Sequence, residues 1–313
     1  MQNFLVSFNV VFPIFVMMLL GYFMKTAKLV SADTVRQINA VIFKVFLPLM
    51  IFRNIYESSI SDVFSVKLAL FVIICIFVII ALLFIIIPLI EKDHKKCGVL
   101  IQAIFRSNFV IFGVPVSEAL CGGEISGTTA LLVAIVIPIF NFMAVVTLEV
   151  FKGSKPKPGT VIKGIITNPL IIASIVGLIV LFSGIKFPII IEKTISSISS
   201  VTTPMALIML GASINLNFIS KNVKELVFGV LAKLVLIPAV VLPIAIFVMG
   251  FRGSDLAILL AIFATPAAVS SFTMAQQMEA DDELAGQLVM FGTVFCVVTM
   301  FLWIFIIKSL GFI

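Results

Sequence analysis

The segment from Val66 to Ile90, VKLALFVIICIFVIIALLFIIIPLI, carries one lysine near its start and is otherwise apolar on every face. A helix of a soluble protein shows polar residues on the face that meets water, and a membrane barrel strand alternates polar and apolar residues. This segment does neither, and it is longer than the roughly 20 apolar residues that a helix needs to cross a bilayer. It therefore predicts a transmembrane helix.

The remainder of the chain has the same character. Of its 313 residues, 62% are hydrophobic and 12% are charged, whereas about 25% of the residues in a typical soluble domain are charged. We predict an all-α polytopic membrane protein with ten transmembrane spans, and an amphipathic surface segment before the seventh, at 186–197. The predicted spans are 4–24, 35–57, 66–90, 97–120, 128–151, 163–184, 197–214, 224–249, 255–278 and 284–307.

Basic residues indicate how these spans are oriented. The loops of one side carry more lysine and arginine than those of the other, and they include Lys92, Lys95, Lys96 and the KGSKPKPGT linker at 152–160. Because cytoplasmic loops are enriched in these residues, we expect this side to face the cytoplasm and both termini to lie outside. The net charge of +6 comes from basic residues in short loops, which orient helices in a bilayer. We therefore expect a multi-pass protein in the lipid bilayer of the plasma (inner) membrane, and no nucleic-acid partner.

A weak internal repeat relates the two halves of the chain. Its matches include, at a shift of 156 residues, Pro13 with Pro169, Gly21 with Gly177, and Pro48 with Pro204. Because each copy holds an odd number of spans, the second copy is inverted, as in many secondary transporters. We predict a first five-helix repeat over 1–151, a cytoplasmic linker over 152–162 and a second, inverted repeat over 163–313. Pro48 and Pro204 are the expected helix-break positions of spans 2 and 7.

Spans 4 and 9 contain helix-breaking sequences at their centres, SNFVIFGVP at 107–115 and ATPAAVSSFT at 264–273. Proline and glycine interrupt a helix, and freed backbone groups persist in a membrane only where protein or a wet cavity covers them. Because the two breaks occupy matching positions of the repeat, we expect them to cross at the midplane and form a substrate site. The half-helices beyond them present N–H groups and a positive dipole end, which suit an anion. The alternative is a pair of packing kinks.

The candidate substrate-binding residues lie at the two breaks and at one midspan amide. They are Asn108, Gly113, Pro115, Thr265, Pro266, Ser270, Ser271 and Asn141. The amide of Asn141 lies in the middle of span 5, where a buried polar group needs a hydrogen-bond partner. That partner is either a broken helix or the substrate.

Three basic residues lie inside predicted spans, Lys44, Arg106 and Lys233, and no acidic residue lies at a similar depth. Charges inside a membrane are costly and usually functional, so the three predict a basic inner vestibule that gathers anions. The alternative is that their long side chains reach back to the cytoplasmic surface. The lack of a midplane carboxylate argues against a cation–proton exchanger.

The sequence offers no support for catalysis or metal binding. The cysteines Cys75, Cys97, Cys121 and Cys296 are scattered, and the only histidine is His94. We therefore expect neither a metal nor a cofactor. We find no nucleophile–base pair and no metalloprotease motif, so we do not expect an enzyme.

The sequence resembles the auxin efflux carrier family over its whole length. The segment INAVIFKVFLPLMIF at 38–52 is similar to the second helix of that family, and the segments at 107–115 and 264–272 are similar to its broken fourth and ninth helices. The family contains the plant PIN transporters and bacterial relatives, some of them described as malate or malonate permeases. The short central loop of this chain resembles the bacterial members.

This resemblance implies an elevator-like fold of the sodium–proton antiporter and bile-acid transporter type. Spans 1, 2, 6 and 7 would form a scaffold, usually a homodimer interface, and spans 3–5 and 8–10 would form a moving transport domain. In the family, the asparagine of the fourth helix and the prolines of the crossover bind substrate. These residues correspond here to Asn108, Pro115 and Pro266.

One departure from the family concerns the substrate. The plant carriers have a second asparagine near the break of the ninth helix, where this chain offers Thr265, Ser270 and Ser271. This difference favours a carboxylate smaller than auxin. We predict a secondary active transporter of a small organic anion, a mono- or dicarboxylate, that works by elevator-type alternating access. Coupling to protons or to sodium stays open, and the alternatives are a sodium-coupled symporter of the bile-acid type and a membrane sensor that binds its ligand without moving it.

Overall fold

The computed structural model describes residues 2–57, 65–121, 127–153, 158–213 and 221–313. Within these ranges the chain is helical, and its only β-type pairing joins two single residues. The helices are α1 (Gln2–Thr26), α2 (Ala32–Tyr56), α3 (Val66–Ile90), α4 (His94–Phe105), α5 (Phe109–Leu120), α6 (Gly127–Val150), α7 (Pro158–Ile166), α8 (Pro169–Ser183), α9 (Ile189–Ser213), α10 (Val223–Val248), α11 (Gly253–Phe263), α12 (Ser270–Gln277) and α13 (Asp282–Ser309).

Among the described residues, six helices are long and apolar enough to cross a membrane. They are α2, α3, the Leu131–Val150 part of α6, α9, α10 and α13. Shorter apolar helices of 10–17 residues are α5, α8, α11 and the Phe12–Thr26 part of α1. The prediction of an all-helical polytopic membrane protein is therefore confirmed. The total of ten spans and the inverted repeat stay predictions.

The predicted spans 4 and 9 are both interrupted. Residues 106–108 separate α4 from α5, and residues 264–269 separate α11 from α12. Span 6 is divided as well, because Asn168 stands between α7 and α8. Its side chain accepts a hydrogen bond from the N–H of Leu170 (2.9 Å) and so caps the start of α8.

Helix α9 is longer than the sequence predicted. The segment 186–197 was expected to lie along the membrane surface, but α9 begins at Ile189 and continues into the predicted seventh span. Near the start of this helix, the hydroxyls of Thr194 and Ser199 donate to carbonyls one turn earlier. Because these hydroxyls are satisfied within the helix, they do not have to reach water.

The prolines expected to break spans 2 and 7 lie inside continuous helices. Helix α9 passes through Pro204 without interruption. Helix α2 continues through Pro48, but the turn before it, Ile42–Phe46, is π-helical. The carbonyl of Phe46 accepts a hydrogen bond from the hydroxyl of Thr202 (3.1 Å), so α9 supports α2 at this turn. The predicted break is thus a π turn in α2 and is absent from α9.

Helices α1, α2, α8 and α9 pack together as one group. Helix α1 lies along α9, helix α8 lies along α2, and α2 contacts α9. The α1–α9 contact is between backbones: a Cβ added at Gly21 would lie 1.9 Å from the carbonyl oxygen of Ile208, and one at Gly211 would lie 1.9 Å from that of Met18. Only glycine permits so close an approach.

The first halves of the two broken helices lie at the centre of the protein. Each residue from Leu256 to Ala264 is at most 3% exposed, and Cys97–Phe105 of α4 is also buried. Protein therefore surrounds the backbone next to both breaks, which satisfies the requirement that interrupted helices in a membrane be covered.

Candidate functional site

The two interrupted segments cross each other and pair as short antiparallel strands. Ser107 and Ala267 form an isolated antiparallel bridge. The N–H of Asn108 donates to the carbonyl of Pro266 (2.8 Å), and the N–H of Ala268 approaches the carbonyl of Arg106 (3.4 Å). Backbone groups that the helix breaks release are thus paired across the crossover. The sequence predicted this crossing from the matching positions of the two breaks.

Pro266 explains why the chain unwinds between α11 and α12. It lacks an N–H, so it cannot donate to the carbonyl of Ile262 four residues earlier. The hydroxyl of Ser107 donates to that carbonyl instead. The side chain of one break therefore satisfies the backbone group that the other break frees.

A cavity of about 70 Å³ lies beside the crossover. Because a single water needs about 10–15 Å³ by this measure, the cavity holds on the order of five water-sized groups. Helices α2, α5, α6, α9 and α12 contribute to its wall. Its polar lining consists of Asn54, Arg106, Ser107, Asn108, Asn141, Thr202, Thr203 and Ser270. The remaining lining residues are apolar, so a small molecule in this space would meet these polar groups within a mainly apolar wall.

Asn108 lines this cavity with a buried amide. The residue is 4% exposed, and its backbone N–H is held by Pro266. Within the part of the chain that the structure describes, its Nδ2 group has no hydrogen-bond partner. A buried donor without an acceptor costs about 1–3 kcal/mol. A ligand with acceptor oxygens in the cavity would remove that cost.

Arg106 lies beside Asn108 and is also 4% exposed. Its guanidinium donates to Asn141 Oδ1 (2.7 Å), to Met274 Sδ (2.8 Å) and to Ser271 Oγ (3.4 Å). These neutral partners hold the guanidinium at the cavity wall, inside the protein. Asn141 therefore has a partner on a broken helix, and it lines the cavity as well.

Lys233 lies behind the crossover and does not line the cavity. It is 4% exposed, and its ammonium donates to Ser107 Oγ (2.5 Å). It sits in the π-helical turn Ala232–Leu236, just before Pro238. The proline cannot donate to the carbonyl of Leu234, which accepts from Trp303 Nε1 instead (3.0 Å).

The structure separates the three basic residues predicted to form a vestibule. Lys44 is exposed on α2, Arg106 borders the cavity, and Lys233 supports the crossover from behind. Among the described residues, Arg106 and Lys233 are the only buried charged side chains. Across the described residues the ion pairs are Arg53–Glu57, Lys96–Glu225 and Lys152–Glu279, so they do not include Arg106 or Lys233.

The helix starts beyond the two breaks also face the cavity. Phe109, Val110 and Ile111 begin α5, and Val269 and Ser270 stand at the start of α12; all five border the cavity. The first N–H groups of a helix have no acceptor within that helix, and they carry the positive end of its dipole. Together with Arg106 and Asn108 they bring hydrogen-bond donors and positive charge to one cavity.

Of the eight predicted binding residues, Asn108, Asn141 and Ser270 line the cavity. Of the other five, Thr265, Pro266 and Ser271 lie at or beside the crossover. The guanidinium of Arg106 approaches Ser271, the carbonyl of Pro266 accepts from Asn108, and the hydroxyl of Thr265 donates to its own helix at Ala261 (2.9 Å).

Gly113 and Pro115 belong to the packing of α5. A Cβ at Gly113 would lie 2.6 Å from the carbonyl oxygen of Ala261, so the glycine lets α5 approach α11. Pro115 is half-buried in the same helix and does not line the cavity.

Sequence reasoning missed Asn54, Thr202 and Thr203 in the cavity wall, and Met274 beside Arg106. The asparagine and the two threonines are polar residues inside the predicted spans 35–57 and 197–214, and that placement was the available signal. The methionine carried none, because a methionine in an apolar helix is most often a packing residue.

Comparison with known proteins supports a role in transport. A family profile described as membrane transport protein matches residues 6–304 of the chain. An uncharacterized transporter of Methanocaldococcus jannaschii is 22% identical over 306 residues, which cover 96% of this chain and 98% of the relative. A putative malonate transporter of Rhizobium meliloti is 26% identical over 316 residues, covering 96% of each chain. An uncharacterized transporter of Escherichia coli is 22% identical over 306 residues, covering 94% of this chain and 95% of the relative.

Proposed function

This chain belongs to the membrane transport protein family, and from that premise we propose that it is a secondary transporter of a small organic anion, a mono- or dicarboxylate. The family and the names of the relatives indicate a transporter rather than an enzyme. The family also agrees with the resemblance to auxin efflux carriers in the sequence. The putative malonate transporter among the relatives makes malonate the first substrate to test.

The observation that carries the proposal is the amide of Asn108. It borders the cavity, and its Nδ2 group has no acceptor within the described structure. The guanidinium of Arg106 and the starts of α5 and α12 border the same space. Carboxylate oxygens are strong acceptors for each of these groups, and charge-assisted hydrogen bonds are the stronger kind. The substrate carboxylate would therefore dock against Asn108 with Arg106 beside it.

For the movement of the substrate we propose elevator-type alternating access. Helices α1, α2, α8 and α9 would form the scaffold, and the helices that carry the crossover would form the transport domain that slides against it. The packing of the first group supports this division. The predicted inverted repeat relates α1 to α8 and α2 to α9, so the contact of α1 with α9 corresponds to the contact of α8 with α2. The matched glycines also agree: Gly21 contacts α9, and Gly177 contacts α2 at Ile55.

The setting of the transporter follows from the sequence and stays part of the proposal. We propose a location in the plasma membrane with both termini outside, and a homodimer joined through the scaffold. The experiments that test the substrate also test whether its transport is coupled to protons or to sodium.

Thermal unfolding of the purified protein in detergent tests the site. We expect malonate or a related small carboxylate to raise the melting temperature, because a ligand that binds the folded state stabilises it. The panel includes malate, lactate, indole-acetate and bile acids, each with and without sodium. A stabilisation that requires sodium would favour the sodium-coupled alternative.

Two variants assign the effect to the cavity. Asn108→Ala should abolish the stabilisation by carboxylate. Asn222→Ala is the matched control, since Asn222 is also a buried amide but lies at the start of α10, where it bonds to Gln287; its response to carboxylate should equal that of the parent. Equal stabilisation of the parent and Asn108→Ala would show that the anion binds elsewhere.

A further inference from the structure

Two cations lie at the crossover without an acidic partner in the part of the chain that the structure describes. Arg106 borders the cavity, and Lys233 is bonded to Ser107, the residue between Arg106 and Asn108. Both side chains are 4% exposed. The hydrogen-bond partners of the Arg106 guanidinium are an amide, a hydroxyl and a thioether. The described surroundings of these charges therefore solvate them without neutralising them.

An uncompensated charge inside a protein or a membrane is costly, and it is usually kept for a function. An anion in the cavity would compensate these two charges in proportion to its own charge. A monoanion would leave one positive charge in excess, whereas a dianion would balance both. The arrangement thus matches an anion that carries two negative charges.

Both cations also belong to the elements that would move with the substrate. Arg106 follows α4 directly, and Lys233 is part of α10, which touches α4 and α13 around the crossover. In the proposed division these helices lie in the transport domain. The two charges would then cross the membrane field together with the bound anion.

We propose that Arg106 and Lys233 are built-in counter-charges, that the substrate is a small dicarboxylate dianion, and that the loaded transport domain crosses the membrane with no net charge. This inference rests on the proposed function. Lys233 acts through Ser107 as a positioning residue and through its charge; it does not contact the substrate. The empty domain carries two positive charges on its return, so exchange of substrate across the membrane is faster than net uptake.

Exchange of labelled malonate against malonate in proteoliposomes tests this inference, because only the loaded domain moves in that reaction. The exchange rate is measured at zero potential and at 100 mV, set by a potassium gradient with valinomycin. One elementary charge that crosses the whole field changes the balance between the two orientations by about 50-fold per 100 mV. For the parent protein we expect rates within about twofold of each other at the two potentials.

Lys233→Met removes one counter-charge, so its malonate exchange should depend on potential, by up to the same factor of about 50. Lys233→Arg retains the charge and should stay independent of potential. If Lys233→Met does not assemble in the membrane, the parent and Lys233→Arg still test the inference. A malonate exchange rate that depends strongly on potential in either protein would overturn it. Unchanged independence in an active Lys233→Met would overturn it as well.

The same experiment separates this inference from the proposed function. Malonate exchange that occurs but depends on potential in the parent would overturn only the built-in counter-charges. Proteoliposomes that exchange no carboxylate faster than protein-free liposomes would overturn the proposed function, and the inference with it.

Discussion

Replacement of Ser107 by alanine tests the role of the crossover in stability. The Ser107 hydroxyl accepts a hydrogen bond from the ammonium of Lys233 and donates one to the carbonyl of Ile262. Ser107→Ala would leave both groups buried without these partners. A lost hydrogen bond to a buried neutral group costs about 1–3 kcal/mol, and one to a charged group costs about 1.5–3 kcal/mol. We expect a total loss of about 3 kcal/mol.

The melting temperature of the purified protein in detergent measures this loss. An unfolding entropy of about 2.1 cal/mol/K per residue makes 1 kcal/mol correspond to roughly 1.5 °C for this chain of 313 residues. Ser107→Ala should therefore melt about 5 °C below the parent. Ser174→Ala is the matched control. Ser174 is also a buried serine, but its hydroxyl donates only to the carbonyl of Leu170 in its own helix (2.8 Å). Its melting temperature should change by about 2 °C or less.

A double variant separates the two hydrogen bonds of Ser107. Ser107→Ala with Lys233→Met removes the buried ammonium along with its acceptor, so the double variant should lose less stability than the two single losses combined. The reasoning would be refuted if Ser107→Ala melted like Ser174→Ala. It would also be refuted if the losses of the two single variants were simply additive.

Two further substitutions test the packing around the site. Gly211→Ala would place a Cβ 1.9 Å from the carbonyl oxygen of Met18, so we expect it to separate α1 from α9. The change should cost about 3 kcal/mol or more and lower the yield of folded protein. Gly153→Ala is the control: a Cβ there meets nothing within 4 Å, so the yield should be unchanged. Trp303→Phe removes the donor to the Leu234 carbonyl and should lower the melting temperature by an amount equivalent to about 1–2 kcal/mol, and an unchanged melting temperature would contradict the role of that bond in holding the turn of Lys233.

The interrupted helices could be predicted from the sequence because their signal is local. Proline, glycine and polar residues in the middle of an apolar span have few explanations, and Asn108 and Pro266 lie where that signal is strongest. The position of each break along its span then predicted that the two breaks meet. No knowledge of the partner helix was needed for this step.

The direction of the basic side chains could not be predicted in the same way. Lys44 and Lys233 have similar predicted depths in spans 2 and 8, yet one is exposed and the other is buried behind the crossover. Depth follows from distance along the helix, but it does not say which face of the helix packs against the rest of the protein. The partner of Lys233 is 126 residues away at Ser107, so only the tertiary structure identifies it.

The burial of α11 bears on how the protein is made. This helix of 11 residues, Gly253–Phe263, is too short to cross a bilayer, which takes about 20. During synthesis it would enter the membrane with one end unwound, and its freed carbonyls would meet lipid until Ser107 and its neighbours reached them. We therefore expect the ribosome-bound chain to shelter α11 beside earlier helices, α5 first among them, and the crossover to assemble only after the second half of the protein has been inserted. Biogenesis of this protein would then depend on the order in which its helices leave the translocation machinery.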